Sequence, residues 1–531
     1  MLNLLLFSCA RVGAPNGGTR DSLAPKFLGS NIDTTRLNVS RTVKELRLDF
    51  DEYVMLKDFN KNFNVSPPIK KIKKVIPSNL ANKYVLIQWE DTLQANTTYN
   101  FNFGNAIVDN NESNPLPYFN FAFSTGDKID DLFVSGTVKD AMTLIKENQT
   151  AKDNKMVVGL YKAGENLDYK QKPDYITKVD EENYFELNFL PKGEFVIIAF
   201  DDENQNSVYD AGKEKVSFLK EKITLDSTSV RGLKLKLYPS KKVVKYKESK
   251  AINGGLLMTF EGNPETVEVK SLSEDLKDFK VTHAKRSDSV NIWFDAEKSN
   301  LGGTVSKQLK LSYFTPTISD TISVSYKAVK DEFKLSNEAG NLIAPENNFV
   351  INTSLPIENL NTSSWKLESD SIAQDFTAKI SEKNPFKILV NSSFKPTKKY
   401  VLTIPKETVS SYYSSNDKSF QFQFEIDKPE NYGSFTAVIK NKPTAKFWVE
   451  LTNEKGEILY SQFTNASEVS FKNLKPATYI ARIRVDNNGN GFWDEADFAQ
   501  NIAAEDVYIF EKEINVRPLW EIKEDWELTN H

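Results

Sequence analysis

Leu474-Lys-Pro-Ala-Thr-Tyr-Ile-Ala-Arg-Ile-Arg-Val-Asp-Asn-Asn-Gly-Asn-Gly-Phe-Trp-Asp494 repeats, without a gap, the earlier run Leu190-Pro-Lys-Gly-Glu-Phe-Val-Ile-Ile-Ala-Phe-Asp-Asp-Glu-Asn-Gln-Asn-Ser-Val-Tyr-Asp210. The offset, 474 against 190, is 284 throughout. Each run reads as a turn, a strand rich in β-branched and aromatic residues, and a loop crowded with Asp and Asn. Outward from both runs the apolar residues keep a period of two, and no stretch shows convincing helical periodicity. Leu46, Leu48 and Phe50 alternate with Arg47, Asp49 and Asp51; Tyr99, Phe101 and Phe103 alternate with asparagines, and Phe119, Phe121 and Phe123 repeat the pattern. Such alternation puts an apolar row on one face of a strand and a polar row on the other. Short strands separated by Asn, Asp, Gly and Pro predict an all-β chain of tandem antiparallel β-sandwich domains.

The length, 531 residues, gives room for roughly three to five such domains. With 39% hydrophobic and 27% charged residues the chain has the composition of a globular protein. Lys plus Arg (68) nearly balances Asp plus Glu (73), so the net charge of -5 offers no general pull toward nucleic acid. Two histidines, His283 and His531, and one cysteine, Cys9, leave no material for a His-based triad, a Cys–His dyad, a zinc cluster or a disulfide. Carboxylates are plentiful, but no motif pairs two of them for hydrolysis. The expectation is a protein that is not an enzyme.

The start, Met1-Leu-Asn-Leu-Leu-Leu-Phe-Ser-Cys9, resembles a bacterial lipoprotein signal with its lipobox Leu6-Phe7-Ser8-Cys9. The resemblance implies cleavage before Cys9 and acylation of that cysteine, with several acyl chains giving stable anchoring. Residues 1–8 would be the signal peptide, and residues 9–24, rich in Gly and small polar residues, a flexible tether. Leu46-Arg-Leu-Asp-Phe-Asp-Glu52, Leu93-Gln-Ala-Asn-Thr-Thr-Tyr99, Val108-Asp-Asn110 and the closing Phe121-Ala-Phe123 make residues 25–127 resemble a bacterial Ig-like domain of the SbsA type. Phe394-Lys-Pro-Thr-Lys-Lys-Tyr-Val-Leu-Thr-Ile404 and Phe420, Phe422, Phe424 and Ile426 repeat that pattern and suggest a second Ig-like domain over 333–428. The two stretches that carry the 284-residue repeat, 128–240 and 429–531, resemble transthyretin-like or carboxypeptidase-regulatory-like sandwiches, which are non-catalytic. Residues 241–332 form an intervening β domain, and its lysine-rich start reads as a solvated boundary.

One constellation has the chemistry to hold an ion. Asp486, Asn488, Asn490, Asp494 and Asp497 stand at positions one, three, five, nine and twelve of a loop, with the Phe492 carbonyl at seven. Calcium takes six to eight oxygens, and this spacing lets one loop wrap an ion. The stretch resembles an EF-hand-like chelating loop set after a strand. The earlier repeat offers Asp202, Asn204, Asn206, the Val208 carbonyl and Asp210, with Glu214 close to the last position. Any calcium would be structural. The alternative is a polar hairpin whose Asn and Asp side chains bond their own backbone.

Most of the seven tryptophans are expected in cores, with Trp493 and Tyr209 each under its own loop. Trp520 and Trp526 are expected on a final, exposed edge strand that would need a partner to cover it. Taken whole, the chain resembles Ig-like outer-membrane lipoproteins of the Bacteroidota. That resemblance implies a lipid-anchored, non-enzymatic subunit of a barrel-assembly, secretion or nutrient-uptake complex, with outer-membrane proteins or other envelope lipoproteins as partners and no nucleic acid. The alternative is a glycan-binding or adhesive surface lipoprotein. On this reading, replacing Cys9 with alanine removes fatty-acid label from the protein and shifts it from the membrane to the soluble fraction, which palmitate labelling and fractionation measure.

Overall fold

A computed structural model describes residues 21–144, 155–164, 168–329, 331–338 and 340–528. Cys9, the 1–8 signal, most of the 9–24 tether and His531 lie outside the described residues. The fold is all-β, as the alternation predicts: sheet follows antiparallel sheet in a tandem β-sandwich chain. Among the described residues the helices are the four-residue Phe59–Asn62 and the 3-10 turns Thr362–Ser364 and Pro429–Asn431. No helix among them is long and apolar enough to cross a membrane.

Of the described residues, those within Met1–Lys139, Thr150–Asp210 and Val216–Leu237 form one compact unit, and those within Asp140–Gln149, Ala211–Lys215 and Tyr238–His531 a second. The first unit holds two cores. In one, Glu45–Leu56 pairs antiparallel with Asn82–Trp89. Leu46, Leu48 and Phe50 turn inward against Phe101, Phe103, Phe121 and Phe123 of the facing sheet. Outward, Arg47 pairs with Asp49 and lies 4.2 Å over the Tyr84 ring. In the other, a sheet ordered Tyr184–Leu190, Leu132–Asp140, Val230–Leu237 faces one ordered Tyr175–Lys178, Met156–Lys162, Gly193–Asp201, Val216–Phe218.

The second unit holds three cores: one around Leu256, Ile292 and Leu311, one around Phe349, Tyr400 and Phe424, and one around Phe435, Val449 and Ile483. The last has the order Glu468–Leu474, Gly433–Lys440, Glu521–Glu527 in one sheet and Ile458–Thr464, Phe447–Thr452, Ala477–Val485, Val507–Val516 in the other. This is the connectivity of the second core of the first unit. Tyr184–Leu190 and Gly193–Asp201 map onto Glu468–Leu474 and Ala477–Val485 at the same offset that the sequence carries. The left-handed backbone at Phe189 (φ 60°) recurs at Asn473 (φ 52°).

The two repeats differ on the outer face of that sheet. In the first, Gly159 pairs with Ile198, and the face is apolar and buried, with Val157, Ile176 and Phe200 alongside. The connection to the next strand folds over it: Tyr161 donates its hydroxyl to the Gln171 carbonyl, and a Cβ on Gly159 would stand 2.4 Å from the Pro173 ring. In the second, a short turn at 453–457 replaces that cover, and Glu450, paired with Arg482, stands where Gly159 does.

A second glycine is set by close approach in the intervening domain. A Cβ on Gly255 would lie 1.9 Å from the Ile292 carbonyl oxygen of the adjacent strand, so that strand would have to move. Gly255→Ala is expected to destabilise this domain by about 2 kcal/mol or more, read as an earlier midpoint of its denaturant transition.

Candidate functional site

The two Asp/Asn loops share one set of inner bonds. In the second, the Asp486 carboxylate accepts the backbone N–H groups of Asn490 and Gly491, each at 3.0 Å. In the first, Asp202 accepts those of Asn206 and Ser207 at the same distance. The Asn488 side-chain oxygen accepts Asn490 N–H and that of Asn490 accepts Phe492 N–H, as Asn204 and Asn206 do for Asn206 and Val208. Finally the Asn488 amide donates to Asp494 Oδ2 at 2.6 Å, matched by Asn204 on Asp210 at 2.5 Å. The turn needs left-handed backbone twice. Gly489 and Gly491 supply it in the second loop, whereas Gln205 and Ser207 carry it in the first at a steric cost. Asp202 and Asp486 are both buried, held by the N–H groups they accept.

The structure thus gathers Asp486, Asn488, Asn490 and Asp494 in one ring and Asp202, Asn204, Asn206 and Asp210 in another. Asp497 stays out of the ring. Its carboxylate accepts the Gln500 N–H instead, and its backbone bridges to Ile502. The carboxylate that does join the second ring is Glu505, which accepts the N–H groups of Asn488 and Asp494. Loop spacing could not find it, because Glu505 comes back from the far side of the loop, two residues before Val507 enters the sheet. Strand register was the available signal: Val507 pairs with Arg484 just as Val216 pairs with Phe200, and buried Glu214 likewise stands two residues ahead of Val216.

Burial pushes the Glu505 carboxyl above its ordinary value, with its backbone hydrogen bonds pulling the other way. Burial would also raise Asp494, but hydrogen bonds from Asn488, Asn490 and Arg286, with the charge of Arg286, hold it below the usual carboxylate range. Arg286 comes from the intervening domain: it donates to Asp494 at 2.7 Å and to Glu265 at 2.6 Å, and lies 4.7 Å over the Phe492 ring. Among the described residues no three His, Cys, Asp or Glu side chains are grouped to hold a metal ion. A cation here would therefore lean on the Asn488 and Asn490 amide oxygens and the Phe492 carbonyl as well as on Asp486 and Asp494, a donor set of the hard-oxygen kind.

The loop borders a cleft of about 830 Å³ lined also by Arg484, Trp493 and Glu495. Trp493 donates its ring N–H to the Glu505 carbonyl, packing beneath its own loop, and Tyr209 is buried 5.9 Å from Phe200. Arg484 lies 5.8 Å from the Trp493 ring and 5.7 Å from that of Trp448. Both Arg484 and Arg482 bind Glu450, whose side chain is 1% exposed.

The reading of the last strand needs correction. Glu521–Glu527 is an edge strand, paired in parallel with Gly433–Lys440, but its apolar side turns inward. Trp526 is 4% exposed and packs 5.3 Å from Phe510 in the core, while Glu521, Lys523, Asp525 and Glu527 face water. Charges guard this edge. Trp520 is exposed but precedes the strand, with Arg517 4.8 Å over its ring.

Residues 21–125 match the model of the bacterial Ig-like domain, in agreement with the resemblance read from that stretch. No curated protein matches the chain in sequence. Among solved structures, the chain is similar to the S-layer protein rSbsC, at 12% identity over 93% of this chain and 67% of that one, with a TM-score of 0.15. It is similar to SGBP-B of the Bacteroides ovatus mixed-linkage glucan utilization locus, solved with a mixed-linkage heptasaccharide: 10% identity, 74% and 97% covered, TM-score 0.21. BcpA, the major pilin subunit of Bacillus cereus, gives 11% identity, 75% and 99% covered and a TM-score of 0.13. Superpositions this loose carry no argument about activity or ligand.

Removing Glu450 would leave two guanidinium groups beside a buried, unoccupied position. Glu450→Ala is expected to destabilise the last sandwich by about 3–5 kcal/mol, seen as an earlier transition for that domain in chemical denaturation.

Proposed function

We propose that this chain is a non-enzymatic, lipid-anchored protein of the bacterial outer membrane whose β-sandwiches serve as an interaction subunit for other envelope proteins. The observation that carries this reading is the duplicated module: one sandwich, with one Asp/Asn loop closed by the same inner bonds, is used twice along the chain. That economy suits a spacer and binding surface. Its prominent polar side chains are engaged in holding backbone, as Asp202, Asp486 and Glu505 are. The lipobox at Leu6-Phe7-Ser8-Cys9 supports the anchor, and the Ig-like match over 21–125 supports a role in display or contact. The two repeats belong, on this reading, to the transthyretin-like class. The glycan-binding alternative asks for bare ring faces. It gains little from Trp448, which Phe463 stacks at 4.4 Å from one neighbouring strand while Arg484 approaches from the other. Purification of the native protein from membranes is expected to return outer-membrane proteins in stoichiometric amounts; a protein that comes alone, and binds glycans on an array, would overturn the assignment.

We further propose that the Asp486 loop binds calcium as a structural ion, held by Asp486, Asn488, Asn490 and Asp494 with the Phe492 carbonyl. A ligand that binds the folded state alone raises its stability with concentration. Calcium is therefore expected to raise the melting temperature of the last sandwich, and Asp486→Asn to abolish the increment. A melting temperature indifferent to both calcium and chelator would refute the ion.

A further inference from the structure

The repeat also shows which surface is left without a cover. In the first unit, Tyr175–Lys178 is the edge strand of its sheet. The Ig-like sandwich closes over it: Asn64–Ser66 lies alongside, Ile176 donates its backbone N–H to Ser66 Oγ at 3.2 Å, and Tyr175, Ile176 and Thr177 are buried. The equivalent strand of the last sandwich is Ile458–Thr464. Tyr460 stands in the place of Tyr175, and its edge-on contact with Tyr479 repeats that of Tyr175 with Phe195. Here the strand is open: Ile458, Leu459 and Phe463 are 46%, 49% and 43% exposed.

Open edges are normally blunted by charge, and this chain follows the rule elsewhere. Among the described residues, every other edge strand of comparable length carries at least one Lys, Arg, Asp or Glu, except Phe119–Ser124, whose last four residues are buried. Ile458-Leu-Tyr-Ser-Gln-Phe-Thr464 has none. A register shift beside Leu459 bends the start of the strand and leaves Tyr460–Thr464 as the regular stretch.

We infer that this edge pairs with the same edge of a second copy of the chain, antiparallel across a two-fold axis. Three features choose that occupant. Antiparallel self-pairing sets the strand against its own sequence, so an uncharged strand meets no like charge. The exposed Phe463 and Leu459 lie toward opposite ends of the strand, so the two-fold brings the Phe463 end of each copy beside the Leu459 end of the other. The first repeat shows that this position in the sandwich accepts an extended neighbour. Glu521–Glu527, an edge of the facing sheet, would set Glu521 against Glu527 and Glu524 against its own copy. The inference does not depend on the anchor or on calcium.

Sedimentation equilibrium of the full chain carrying Cys9→Ser, so that acylation plays no part, tests it. A dimer with micromolar affinity is expected. Ser461→Lys and Phe463→Lys, each at an exposed position, weaken it by about tenfold or more, the first because it sets two like charges across the axis at the middle of the strand, the second because it puts a charge in place of the apolar contact with the Leu459 end of the other copy. Ser461→Lys keeps the wild-type melting temperature, and Leu80→Lys, a charge added at another exposed leucine, leaves the dimer intact. A chain that stays monomeric at about 100 μM, weaker than any specific pairing of this kind, overturns the inference. So does a dimer indifferent to both strand variants.

Discussion

Each sandwich here is held by the apolar rows that its two sheets turn toward each other. With Cys9 the only cysteine, no disulfide shares that load, so large aromatic side chains fill the space: Phe101, Phe103, Phe121 and Phe123 in the first core, Phe349 stacked 4.1 Å from Phe424 in another. Everything else is arranged around this demand. Alternation must be strict wherever one face is buried, since a slip of one residue would carry the whole row into water. Function is left to loops and edges.

The same demand explains what was legible in the sequence. Phe-x-Phe strands and the Leu46–Phe50 row announced the sheets because period two is a local signal. The repeat placed both Asp/Asn loops at equivalent positions, and their inner bonds follow from residues only two to six apart. What escaped depended on chain returning from elsewhere. Asp497 fits a loop-counting rule, but Glu505 takes the place beside Asn488 and Asp494 because the next strand delivers it there. Trp526 read as a surface residue because its neighbours Glu524, Asp525 and Glu527 are charged. In a strand those neighbours point the other way or lie at the rim, and the ring falls into the core. The exposure of Ile458 and Phe463 could not be read locally either, since it depends on which domain does or does not lie alongside.

Electrostatics are used sparingly and close to aromatic rings. Arg286 ties Glu265 to Asp494 while lying over Phe492, and Arg484 serves Glu450, Trp448 and the border of the cleft together. A guanidinium can do this because its flat face stacks while its edge donates. Lysine could take over neither post.

The outer face of the duplicated sheet has a different ending in each repeat. Where the connecting segment is long it roofs an oily surface, and Gly159 makes room for Pro173. Where the connection is a tight turn, Glu450, Arg482 and Arg484 have replaced Gly159, Ile198 and Phe200. Loop and surface therefore differ as a pair, and the two copies of the module are not interchangeable. A segment borrowed from the first would lay Pro173 over a buried ion pair, and one borrowed from the second would strip the shelter from grease.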